Sequence, residues 1–77
     1  MENTQEDVRA HLMQTDEEFR RLAAEHSEYH RLLEALEAKH PLTPADEAEE
    51  HRLKKIKLRL KDQMNAMVSR HRNVHVH

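Results

Sequence analysis

His40-Pro41-Leu42-Thr43-Pro44-Ala45-Asp46 separates two long helix-forming stretches, and it holds both prolines of a chain without glycine. Proline cannot donate a backbone hydrogen bond and biases the residue before it away from the helix. The chain therefore has one place to fold back, and the sequence predicts an all-α, antiparallel two-helix hairpin of coiled-coil type. Its segments are a helix over 4–39, a turn over 40–43, a helix over 44–72 and a frayed tail over 73–77. Thr43 suits the cap of the second helix, Pro44 its first position, and Asp46 completes a capping box. At the other end Thr4, with Asp7 three residues on, or Asn3 supplies the first cap.

Upstream of the turn, Val8, Leu12, Thr15, Phe19, Leu22, His26, Tyr29, Leu33 and Leu36 recur at alternating steps of four and three, the spacing of a heptad seam. Downstream, Leu53, Ile56, Leu60, Met64, Met67 and Val68 fall in one stripe at about 100° per residue. Lys57 lies inside that stripe, its methylene stem suited to burial and its amine to water. Folding at the turn brings together residues whose numbers add to about 83. Leu33 is then expected near Glu50 or Leu53, His26 near Ile56 and Lys57, Leu22 opposite Leu60, and Phe19 opposite Met64. Leu32, Leu42 and Leu58 stay outside this seam. A chain of 77 residues with 36% hydrophobic and 36% charged side chains has a small core. Those leftover leucines are the expected contacts of a homo-oligomer or of a helical protein partner.

The net charge of −2 conceals a split. Ten acids and four arginines precede Lys39, whereas Arg52 to Arg72 holds eight Lys or Arg and the single acid Asp62. Antiparallel packing is expected to set the two halves side by side. The chain has no cysteine, so disulfides, thiolate metal sites and a cysteine nucleophile are excluded. No run approaches the roughly 20 apolar residues of a membrane span, and the acidic start is the reverse of a signal peptide, so a cytoplasmic protein is expected.

Leu53-Lys54-Lys55-Ile56-Lys57-Leu58-Arg59-Leu60-Lys61-Asp62, read with Phe19, Leu22 and His26, resembles the YdcH-like family of small bacterial proteins. That family's usual pattern is Phe-x-x-Leu-x-x-x-His followed by Leu-Lys-Lys-x-Lys-Leu-x-Leu-Lys-Asp. The resemblance runs from about Val8 to Val68. Ile56 stands where many relatives have an acid, and Gln63 and Met64 stand where Glu and Ile are common. The resemblance implies a helical hairpin or coiled coil and brings no established biochemical activity.

Three constellations remain. Lys54, Lys55, Lys57, Arg59 and Lys61 are candidate anion contacts for weak nucleic-acid binding, without the interleaved aromatics that single strands stack on. His71 and His75, like His26 and His30, have the i, i+4 spacing that grips a divalent ion. With His75 and His77 in an expected frayed tail, adventitious affinity is the expectation and no metal site or cofactor is assigned. His26, on the seam, is expected to be a hydrogen-bonded structural histidine that fixes register. No residue set spells out a reaction, and a two-helix layer is expected to enclose no pocket of about 300 Å³ or more. The chain therefore reads as a non-enzymatic interaction or adaptor module, with no small-molecule substrate.

Overall fold

The computed structural model describes residues 5–75, and the side chains of residues 5–72. Three helices fill that span: α1 (Gln5–Thr15), α2 (Glu17–Glu37) and α3 (Pro44–His75). No strand occurs among the described residues. The fold is all-α, but three helices replace the expected two. Both α1 and α2 pack on α3, which runs the length of the molecule. At 1.5 Å per residue its 32 residues span about 48 Å, which accounts for the longest dimension of 52 Å.

The expected single helix over 4–39 is broken at Asp16, whose backbone is extended (φ −121°, ψ 114°) and whose Oδ1 accepts from the Phe19 amide at 3.0 Å. Asp16 caps α2, and Glu17 and Glu18 follow in the first turn, where the helix dipole favours negative charge. The break leaves the last carbonyls of α1 without helical partners. Arg20 fills that role, donating from Nη1 to the carbonyls of Met13 and Gln14 at 3.1 Å each. Thr15, counted in the expected seam, turns its hydroxyl back to the His11 carbonyl at 2.9 Å and stays exposed.

At the reversal Thr43 Oγ1 accepts from the Asp46 amide at 3.0 Å, and Asp46 Oδ2 accepts from the Thr43 amide at 3.1 Å. Lys39 Nζ adds an ion pair to Asp46 at 3.1 Å. The Thr43 amide and Lys39 hold the Asp46 carboxyl below its ordinary 3.8. Its contribution to stability is therefore present above pH 3.8 and is lost as the pH falls through the lowered value. The His40–Pro41 peptide is cis. The second helix continues past the expected end at residue 72, since Asn73 to His75 are helical. Val76, His77 and the candidate caps Asn3 and Thr4 lie outside the described residues.

The core is one cluster of Val8, Leu12, Phe19, Leu22, Leu60, Met64, Met67 and Val68, with Ala23, Tyr29 and Ile56 packed against it. Phe19 and Val68 are each only 1% exposed. Phe19 with Met64 and Leu22 with Leu60 share this cluster as expected. Leu33 and Leu53 are buried nearer the turn, outside the main cluster.

The expected electrostatic complementarity is mostly satisfied within helices instead of between them. Arg21 pairs with Glu18 and Glu25, Arg31 with Glu28 and Arg52 with Glu49, all three or four residues apart. Only Lys54 to Glu37, at 3.6 Å, joins α2 and α3 by an ion pair among the described residues. Exposed pairs of this kind contribute little, so apolar burial holds the helices together. Replacing Phe19 with Ala is expected to cost about 3–5 kcal/mol, and Asp16 with Ala about 1 kcal/mol. Urea unfolding followed by circular dichroism checks both, and an Asp16→Ala protein as stable as the parent contradicts the capping role.

Candidate functional site

An open groove of about 600 Å³ runs along one edge of the α2–α3 interface. Sequence reasoning expected no enclosed pocket, and this one is open to solvent, formed where half-buried His26 and exposed polar residues of α2 stand in place of the larger apolar ones of the core. His26, Ser27, His30 and Glu34 line it from α2, and Lys54, Lys57, Leu58 and Lys61 from α3. On α2, positions 26, 30 and 34 are one turn apart and present one face; on α3, positions 54, 57, 58 and 61 do the same. Leu33, buried under the groove, supplies its apolar floor.

A chain of polar contacts crosses the groove. Lys57 Nζ lies 2.6 Å from His30 Nδ1, and His30 Nε2 lies 3.4 Å from Glu34 Oε2. An ammonium has only protons to give, so Nδ1 accepts, and the ring proton sits on Nε2 facing the carboxylate. Toward the turn, Lys54 stands between Glu37 at 3.6 Å and Glu50 at 3.8 Å. A hydrogen bond with the Glu37 carboxyl, helped by burial, raises Glu50 above its ordinary value. The groove thus changes sign along its length, acidic near the turn and cationic toward Lys61.

His26 takes its expected place beside Lys57, but it is half-buried and, among the described residues, no protein group hydrogen-bonds to its ring, which corrects that part of the expectation. Burial lowers its pKa below 6.5 most strongly, and the charges of Lys57, His30, Lys61 and Arg9 act in the same direction. Arg9 belongs to α1, whose Nη2 donates to Asn65 Oδ1 of α3 at 2.5 Å.

The other anticipated residues separate by position. Leu12, Phe19, Leu22, Leu33, Leu53, Leu60, Met64 and Met67 are buried; His26, Tyr29 and Ile56 are half-buried. The three leftover leucines do not form one patch. Leu58 (58% exposed) borders the groove, whereas Leu32 (44% exposed) is two residues from His30, about 200° round α2. Leu42 is half-buried in the connection. The basic row divides in the same way: Lys54, Lys57 and Lys61 line the groove, while Lys55 and Arg59 lie about 200° from Lys57. Arg59 lines the opposite edge with Glu18, Arg21 and Glu25. Sequence reasoning missed exposed Met13 (42%) and the meeting of His11 with His71, whose rings come within 5.0 Å. The only signal for the latter was that their numbers also add to about 83.

Because the folded chain holds His26 below 6.5, the unfolded chain takes up the proton first. Stability contributed by neutral His26 is full above that pH and declines as the pH drops through 6.5 toward the lowered value. Replacing His26 with leucine is expected to raise the melting temperature and to flatten its dependence between pH 7 and pH 5, as the titration of a histidine held below its ordinary range is removed. Thermal melts across that range check it; a large loss of stability in the leucine variant contradicts it.

No helix among the described residues is long and apolar enough to cross a membrane. No curated protein and no solved structure gives a significant match to the chain. The model of one family, described as a protein of unknown function (DUF465), matches residues 19–68. The match begins at Phe19, so α1 and the break at Asp16 lie outside it, and it takes in α2 from Phe19 on and the Lys-rich part of α3. Since it spans well over half of the 77 residues, the chain belongs to this family, of which the YdcH-like proteins are part.

Proposed function

We propose that this chain is a non-enzymatic helical interaction module, a coiled-coil-like hairpin of α1–α2 against α3, that pairs with a second copy of itself across the groove. The observation that carries this reading is Leu58, 58% exposed on the rim of a groove whose charge reverses along its length. A two-fold axis across the middle of the groove sets the Glu34 and Glu37 end of one copy against the Lys61 end of the other. The same patch then serves both subunits, as a two-fold interface requires. Leu58 of each copy is covered in that interface, and the charges form its rim. A partner helix with an apolar residue between acidic ones would fit the same groove.

The division of the basic row supports this over nucleic-acid binding, because Lys55 and Arg59 turn away from Lys54, Lys57 and Lys61. Phosphate contacts accumulate when cations share a face. The groove's openness supports a docking role over catalysis, which relies on excluding water.

Sedimentation equilibrium is the test. The parent chain is expected to dimerise, Leu58→Glu to remain helical and monomeric, and Leu32→Glu, on the other side, to dimerise like the parent. A parent that stays a 9.2 kDa monomer at every concentration overturns self-pairing. A mobility shift of generic DNA or RNA at low salt that is lost on replacing Lys57 and Lys61 with Ala overturns the preference over nucleic acid.

A further inference from the structure

Lys57 and Lys61 stand one turn apart on the groove side of α3, and neither has a carboxylate partner among the described residues. Like charges four residues apart on a helix repel, which destabilises it unless something offsets them. Nearer the turn the offset is present, since Lys54 is held by Glu37 at 3.6 Å and Glu50 at 3.8 Å. Lys57 instead donates to the neutral ring of His30 at 2.6 Å, and the Glu34 carboxylate lies on the far nitrogen of that ring at 3.4 Å. An ammonium carries three protons, so most of the donors of Lys57 and Lys61 are unspent. We propose that the end of the groove framed by Lys57, Lys61, His26 and His30 binds a single phosphate dianion, free or carried as the monoester of a small organic molecule.

Charge, donors and space agree. Two ammonium groups match two negative charges, and lysine serves phosphate as a point charge with mobile donors. The His26 ring has no hydrogen-bond partner in the protein among the described residues, and once protonated it adds a further donor. The groove, at about 600 Å³, has room for more than the anion itself. Its Leu33 floor and Leu58 rim offer an apolar surface to an organic remainder. Glu34 and Glu37 repel an anion from the other end, which confines it beside Lys61. Lys55 and Arg59 lie off this face, so a polymer's successive phosphates find no second row of cations, whereas one phosphate needs none.

The anion and a proton on His26 favour each other. Burial, then the charges of Lys57 of α3, His30 of α2, Lys61 of α3 and Arg9 of α1, keep the His26 ring neutral below its ordinary range. A bound dianion opposes those charges, so it draws a proton onto the ring, and by reciprocity the protonated ring holds the anion more tightly. The site belongs to the single chain and does not rest on self-pairing. In the paired form, Glu34 and Glu37 of the second copy approach the same Lys61 end, so the dianion and the second copy compete for it.

Proton NMR of the imidazole signals tests the site, in the full parent chain and in Leu58→Ala, where self-pairing is weakened without adding charge. Sodium phosphate at about pH 7.5, compared with sodium chloride of equal ionic strength, is expected to give a saturable shift of the His26 and His30 signals. Sodium sulfate, doubly charged throughout the histidine range, is expected to raise the His26 pKa relative to chloride. Lys57→Gln and Lys61→Gln are each expected to weaken phosphate binding at least about threefold and together to abolish it. Lys55→Gln and Arg59→Gln are expected to leave it unchanged. Phenyl phosphate binding more tightly than inorganic phosphate identifies an organic monoester as the occupant, and equal affinity identifies the free ion. Absence of a saturable response in both the parent and Leu58→Ala overturns the site. So does unchanged affinity when both Lys57 and Lys61 are replaced, or an equal loss with Lys55→Gln and Arg59→Gln, which reports diffuse surface charge only. Sedimentation of the same samples reads pairing separately, so a failure of pairing and a failure of the anion site are distinct results.

Discussion

Every contact between α3 and the rest of the chain depends on one reversal, and reciprocal hydrogen bonds between Thr43 and Asp46 hold it. Pro44 starts the helix in a preset conformation, and Lys39 ties the far side of the turn to the same carboxylate. With the reversal in place, the apolar stripes of the two arms have no better destination than each other. Phe19 and Val68 are then almost completely withdrawn from water. Since most ion pairs lie within single helices, charge decorates this arrangement more than it builds it.

The turn, the seam and the family were legible because each rests on a short-range rule: proline at a helix start, a heptad step, a Lys-rich block. The break at Asp16 was written in the same language. Asp16 followed by two acids is a helix start, but the apolar spacing from Leu12 to Phe19 is also that of an uninterrupted heptad, and periodicity masked the cap. What separates the two is Arg20, which reaches back six and seven residues to free carbonyls. A side chain acting at that range leaves no periodic trace. The overlong α3 has a similar origin, since Asn73 and Val74 have weak helix propensity and the helix continues regardless.

The groove was less legible, because it is made by what the seam lacks. His26 occupies a core position with a polar ring, and Lys57 replaces an apolar residue across from it. Between the main cluster and the buried pair Leu33 and Leu53, the interface is therefore half wet. The individual residues could be named from sequence; their sidedness required knowing the rotation of α2 against α3. That rotation puts Leu58 and Leu32 on opposite faces, although both are surplus leucines in the linear pattern.

The extended backbone at Asp16 also separates two rotational clocks. In a continuous helix, each added or deleted residue turns everything downstream by about 100°. Here α2 takes its phase from its own cap, so a length change within α1 need not swing Phe19 and Leu22 out of the interface. The amino-terminal arm is thereby free to vary in length and composition while the Phe19-to-Val68 unit keeps its alignment.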